Sequence, residues 1–142
     1  LLNELRTRFS VPQFWLAPVL LALCAGVMVS IASSGKAATK GDIAAGKQVY
    51  AQCMSCHKID KSGKSGIGPN LYKVIGRRAG TLPGFRYSPA MVASERIWTE
   101  EALDAYLISP AKALPGGRMP YAGLRNPADR ANVIAYIKSV SK

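Results

Sequence analysis

The pentapeptide CMSCH, residues 53–57, contains the only histidine of the chain and two of its three cysteines. Two intervening residues bring both sulfurs to one side of a single helical turn, and the residue that follows can aim an imidazole beside them. Around this motif the sequence reads as all-α, with short helices broken by long Gly-, Ser- and Pro-rich loops and no convincing strand. Roughly 100 residues arranged in this way bury little apolar surface by themselves. The fold is therefore expected to close around a group that fills its centre.

C-x-x-C-H is the attachment signature of a c-type haem: two thiols add to the vinyl groups and the adjacent His reaches the iron. Other readings of the motif are weaker. Half a zinc site needs further ligands, and the only other cysteine, Cys24, lies in an apolar run. A thioredoxin-like redox pair needs a βαβ pattern that is missing here. A simple disulfide, or chance, leaves the placement of the single His unexplained. The expected cofactor is one haem c, with its iron, joined through thioethers at Cys53 and Cys56.

Residues 12–33, PQFWLAPVLLALCAGVMVSIAS, carry no charge and have the length of the ~20 apolar residues that cross a bilayer as a helix. They are expected to form a transmembrane anchor. Arg6 and Arg8 precede the run, so the positive-inside rule leaves residues 1–11 in the cytoplasm and everything after Ser33 outside. The expected setting is a bacterial cytoplasmic membrane crossed once, with the folded domain on the periplasmic side. A secretory signal peptide, cleaved near Ala32-Ser33-Ser34, would have a shorter apolar region of ~7 to 15 residues and gives the same orientation. Cys24 follows bulky Leu23, a poor lipobox, and reads as an apolar thiol. Residues 34–40 read as a linker that reaches at most about 25 Å, and residues 41–142 as the haem domain.

The chain carries a net charge of +11, and beyond residue 40 fifteen Lys and Arg stand against seven Asp and Glu. Such a field favours an acidic partner surface or anionic lipid and speeds encounter. No basic run with interleaved aromatics supports nucleic acid as a partner.

Along the domain, Asp42 is placed to N-cap a helix on which Ile43, Gly46, Val49, Tyr50 and Cys53 share a face. Residues 61–68 read as a loop, and Asn70 caps a short helix ending at Gly76. Ser88-Pro89 opens a short helix through Ser94. Thr99 starts a stronger one, with Glu100 and Glu101 in its first turn, which Pro110 stops by Ser109. Residues 111–124, with two Pro and three Gly, read as a loop. Asn126-Pro127 opens a terminal helix whose apolar face is Val133, Ile134, Ile137 and Val140.

A haem iron bound by one His keeps a second axial position, and its occupant decides function. Beyond the apolar run the methionines are Met54, Met91 and Met119. Met54 is inside the attachment turn and cannot fold to the far face, and Met91 reads as core of a short helix. Met119, in GGRMPYAG, sits where a Pro/Gly loop can hold a thioether against iron; ordinary loop packing is the competing reading.

The blocks GDIAAGKQVYAQCMSCH, GIGPNL, GRRAG, PGFRYSPA, the 98–107 segment, SPAKALPGGRMPYAG and ANVIAYIK follow one another as in the class I cytochromes c. Residues 41–140 resemble that family, mitochondrial and bacterial, in order and spacing. The resemblance implies the class I cytochrome c fold, with His57 and Met119 as axial ligands. It implies that the Pro69 carbonyl accepts a hydrogen bond from the His57 ring, and that Arg77, Tyr87 and Trp98 contact the haem propionates. Tyr106 would lie near the Met119 sulfur, and Gly46 and Tyr50 would pack against Val133 and Tyr136. Two positions depart from the family pattern: Met91 replaces a usual Asn, and Gly117 a usual Thr or Lys. Lysines around the exposed haem edge are rearranged, with Lys58, Lys73, Lys112 and Arg118 remaining.

The expected function is electron transfer, not catalysis. The chain would pass single electrons from a cytochrome bc1-type complex to a cytochrome oxidase or reaction centre, with the short linker favouring a fixed neighbour, as in a respiratory supercomplex. Two alternatives remain from the sequence: an electron-transfer subunit of one dehydrogenase, and a haem enzyme or ligand sensor of the peroxidase type.

Overall fold

The computed structural model describes residues 40–141. The expected anchor at 12–33 and the segment before it lie outside the described residues. Among the described residues no helix is long and apolar enough to cross a membrane.

Among the described residues five helices follow one another: α1 (Ile43–Tyr50), α2 (Pro89–Ala93), α3 (Glu100–Ile108), α4 (Pro110–Ala113) and α5 (Pro127–Ser139). Four start with a side-chain cap that satisfies an otherwise orphaned N–H. Asp42 accepts from the Ala45 amide, Ser88 from Met91, Thr99 from Ala102 and Asn126 from Ala128. Proline occupies the first turn of α2, α4 and α5, where its missing donor costs nothing.

α1 packs on α5, and α3 rests on both α5 and α4. Tyr50 and Tyr136 meet with ring centroids 5.2 Å apart, while Val133, Ile134 and Ile137 turn inward beside Leu103, Leu107 and Leu124. Gly46 faces the α5 backbone at Asn132 and the Tyr136 Cβ, so the close approach runs along Asn132 and Tyr136. Ile43, expected on this face, is exposed, although Gly41 just before the helix already lies against Ala131 and Ala135 and the Asp42 amide donates to Asn132 Oδ1 at 2.8 Å.

Two local expectations are corrected, and one contact is added that the sequence does not show. Residues 70–76 form consecutive turns, not a helix. The Asn70 side chain accepts from Tyr72 only two residues on, as an Asx turn does, and Lys73 adopts a positive φ of 52° that a helix excludes. The Pro/Gly loop after α3 begins with the single helical turn α4, in which Pro110 supplies its fixed φ at the first position. Finally, an isolated antiparallel bridge joins Arg78 to Ile97. It is too short for its pattern to show in the sequence, yet it ties the loop after residue 76 to the strand-like approach to Trp98.

Candidate functional site

The CMSCH motif lies on the turns that follow α1. The Cys53 amide donates to the Tyr50 carbonyl at 2.8 Å, and the Cys56 and His57 amides both donate to the Cys53 carbonyl, at 3.1 and 2.8 Å. This single coil sets the two sulfurs and the imidazole on one wall. Cys53 and Cys56 are free thiols, not a disulfide. Burial, then the neighbouring Cys56, pushes the Cys53 thiol up to about 11, so the unreacted side chain is kept protonated. Among the described residues no group of three or more His, Cys, Asp or Glu side chains gathers as a metal site.

The His57 ring is oriented by the loop that folds back across it. Gly68 donates its amide to the Cys56 carbonyl at 2.9 Å, and a Cβ at Gly68 would overlap the imidazole itself. Only glycine lets the backbone pass this close. The next residue, Pro69, presents its carbonyl 2.7 Å from His57 Nδ1. A carbonyl only accepts, so Nδ1 carries the proton and Nε2 is left as the bare nitrogen. Burial holds the His57 pKa below its ordinary value, against the opposing pull of that bond.

A single buried side chain braces this loop. Asn70 is 1% exposed and donates from Nδ2 to the carbonyls of Asp60 and Lys64, both at 3.1 Å, while its Oδ1 accepts from Tyr72 at 2.8 Å. Sequence reading gave Asn70 only as a helix cap; the N following GP was the signal available. Behind the motif, the Tyr50 hydroxyl donates to the His57 carbonyl at 3.2 Å.

A cavity of about 570 Å³ opens on Cys53, Cys56 and His57. Its walls bring together every residue that the sequence assigned to the site: Pro69, Arg77, Tyr87, Trp98, Tyr106 and Met119 all line it. Met91 lines it as well, whereas Met54 is 66% exposed on the outside of the attachment turn. Apolar walls come from Leu71, Val74, Leu103 and Leu107, and the charged lining side chains are Arg77, Arg86 and Arg118, with no carboxylate among them. The Arg77 guanidinium donates to the Asn70 carbonyl at 2.8 Å and to Tyr72 at 3.3 Å. Burial pulls its pKa below the ordinary arginine value, though an arginine remains charged, and the same burial raises the Tyr87 hydroxyl, with Arg77 opposing. Trp98 and Tyr106 meet edge to face at 5.0 Å.

The loop bearing Met119 is fastened on both sides. Arg118 donates to the Arg86 carbonyl at 3.2 Å, and the Tyr121 hydroxyl to Gln52 Oε1 at 2.8 Å. These ties join distant segments, and the sequence carries no signal for Gln52, a polar residue in the turn after α1, directly before Cys53.

An apolar cavity of this size, with two thiols, one oriented imidazole nitrogen and thioethers on its walls, suits a flat iron macrocycle with anionic edge groups near arginine. The sequence profile of the family described as Cytochrome c matches residues 43–141. The chain belongs to the cytochrome c family. It is 45% identical over 104 residues to cytochrome c2 of Rhodomicrobium vannielii, covering 73% of this chain and 83% of that protein. It is 48% identical over 103 residues to the cytochrome c-type cyt cy of Rhodobacter capsulatus, covering 72% of this chain and 51% of the relative's length. The solved structure of cytochrome cH from Methylobacterium extorquens superposes with a TM-score of 0.66 at 36% identity, over 70% of this chain and 99% of that one. As a cytochrome c, the chain holds haem c covalently through Cys53 and Cys56 and is an electron carrier, not an enzyme.

Proposed function

We propose that His57 and Met119 hold the haem iron of this cytochrome c from its two faces, and that the chain carries single electrons from a quinol-oxidising complex of the bc1 type to a terminal oxidase or reaction centre. The observation that carries the ligand pair is the His57 ring, whose Nδ1 is committed to Pro69 and whose Nε2 is therefore the nitrogen left to bind. Met119 is preferred to Met91 because its loop is fastened at Arg118 and Tyr121, whereas Met91 sits within α2. When bound, the haem supplies exchange of one electron between Fe(III) and Fe(II), and thioether ligation with burial raises the potential.

The protein's own residues supply the rest. Cys53, Cys56 and the attachment turn would fix the group in place; Leu71, Val74 and Leu103 would exclude water; Arg77, Tyr87 and Trp98, which line the cavity, would hold its carboxylates. The excess of cations and the arginines at the cavity favour acidic docking surfaces on both partners. Residues 12–33 would anchor the chain in the bacterial cytoplasmic membrane, with the haem domain on the periplasmic side, and the short linker would hold it beside its partners in one respiratory assembly.

The test is carbon monoxide binding by the reduced protein, read by visible absorption together with a potentiometric titration. The wild-type protein and Met91→Leu are expected to leave the spectrum unchanged, and Met119→Leu to take up CO with a lowered midpoint. Uptake by Met91→Leu alone would exchange the assignment. Uptake by the wild type would make the chain a ligand-binding haem protein. For the partner assignment, turnover with isolated bc1-type complex and oxidase should fall as ionic strength rises; indifference to salt would refute charge steering.

A further inference from the structure

Arg96 has no part in the site as described, and it does not line the cavity. Its position is nevertheless unusual for a cation. The guanidinium carbon lies 5.5 Å from the centroid of the Trp98 ring and 5.8 Å from that of Tyr106, so one charge faces both members of the aromatic pair. Those two side chains are 7% and 5% exposed and form part of the cavity wall. Arg96 is itself only partly exposed, where a cation over an aromatic face gains more than in open water. Its Nη2 donates to the carbonyl of Ala113 at 3.2 Å, the last residue of α4. From there the chain runs through the Gly117 amide bonded to the Leu114 carbonyl, directly into Arg118 and Met119. Arg96 thus touches the two aromatic rings of the wall and the root of the Met119 loop from outside the cavity.

No acidic side chain pairs with Arg96 among the described residues. Its charge is therefore not cancelled by an ion pair, unlike those of Arg78, Arg130 and Lys138. An uncancelled positive charge behind the wall of a redox centre disfavours the more positive, oxidised state. Arg96 also lowers the proton affinity of the Tyr106 hydroxyl against the larger upward effect of burial.

We propose that Arg96 is a positioning residue that also tunes the electron carrier: it clamps Trp98 and Tyr106 against the haem cavity, ties the Met119 loop at Ala113, and through its charge raises the midpoint potential. This rests on the reading of the cavity as a closed His57/Met119 haem site. The step it affects is the one-electron reduction of Fe(III) to Fe(II) by the quinol-side donor, with no proton or atom transferred.

Two variants separate charge from structure in the holoprotein. Arg96→Gln keeps a donor for the Ala113 carbonyl and removes the charge; Arg96→Lys keeps the charge and loses the planar fork. Potentiometric titration at low salt should show Arg96→Gln shifted toward the oxidised state by about three- to tenfold in the redox equilibrium, or roughly 30 to 60 mV for one electron. Arg96→Lys should recover at least half of that shift. Thermal unfolding of the same samples reads the clamp alone, and both variants should unfold at lower temperature than the wild type. Unchanged midpoints in both variants, or equal falls in both, would overturn the charge role even if stability drops, and unchanged unfolding temperatures would overturn the clamp. If the reduced wild type takes up CO, the closed-site reading fails instead, and that outcome is scored before any Arg96 variant is compared.

Discussion

Gly46→Ala pits two effects of known size against each other at one position. In the interior of a helix, replacing Gly by Ala ordinarily stabilises by about 0.8–1.0 kcal/mol, because the backbone loses less freedom on folding. At Gly46, however, an added Cβ would meet the backbone of α5: the Asn132 carbonyl oxygen within contact, its carbonyl carbon at 2.6 Å and the Tyr136 Cβ at 2.9 Å. No flexible side-chain end is available to swing away, so the two helices must separate. Overpacking of this kind costs about 1–3 kcal/mol, and backbone neighbours place the cost toward the upper end. The net expectation is a loss of about 1–2 kcal/mol. In a domain of this size each kcal/mol moves the unfolding midpoint by about 4–8 °C, giving a fall of about 4–16 °C in thermal unfolding of the ferric holoprotein followed by circular dichroism. Ala44→Gly, at an exposed position of the same helix, is the control and should cost about 0.5–1 kcal/mol from propensity alone. A Gly46→Ala protein that unfolds at or above the wild-type temperature would refute the close packing of α1 on α5.

Other perturbations follow from the same accounting of contacts. Asn70→Ala removes three hydrogen bonds from a side chain 1% exposed and should cost about 2–4 kcal/mol in urea unfolding; a loss under ~1 kcal/mol would mean that water replaces the amide. Arg130 pairs with Asp104 at 2.7 Å and also donates to the Leu124 and Arg125 carbonyls; Arg130→Leu leaves both carbonyls without this donor and should cost about 2–4 kcal/mol, whereas Asp104→Asn, on the 41% exposed side of the pair, should cost under ~1 kcal/mol. Equal losses would put the energy in the ion pair instead. Asp60 should titrate below the ordinary Asp range, because the Ser62 side chain and then its amide bond the carboxylate. Its folded pKa is depressed, so the stability it contributes is present above the ordinary Asp value and disappears as pH falls through the lowered one. A carboxyl resonance titrating at or above the ordinary value in NMR would contradict this.

Legibility in the sequence tracked the range of the interaction. Helix starts were readable because capping is local: Asp42, Ser88, Thr99 and Asn126 each meet an amide two or three residues on. Met119 stood out from its Pro/Gly loop, but Arg77, Tyr87, Trp98 and Tyr106 were readable only through family resemblance, since nothing in their spacing shows that they line one cavity. The turns at 70–76 were misread as a helix because Asn70 caps helices and closes Asx turns with the same carbonyl oxygen, and the Lys73 φ of 52° has no residue signature. Arg130, buried at the N-terminal end of the apolar face of α5, and the Gln52–Tyr121 bond spanning 69 residues depend on partners that only the folded chain brings near.

The attachment turn has two supports of different kinds, and they converge on one residue. From behind, α1 delivers Tyr50, whose hydroxyl donates to the His57 carbonyl. From the front, Asn70 braces the loop whose Pro69 carbonyl takes the proton-bearing side of the His57 ring. If each support acted on its own segment, Tyr50→Phe and Asn70→Ala would add within about 0.3–0.5 kcal/mol, as independent sites do. Because both end on His57, loosening one lets the turn adapt and lowers what the other can still contribute. The double variant is therefore expected to lose less than the sum of the single losses, by about 0.5–1 kcal/mol, and CO binding by the reduced protein should appear in the double variant before either single one. Strict additivity in denaturant unfolding would show that the helix and the loop hold His57 independently, and would refute the coupling through this residue.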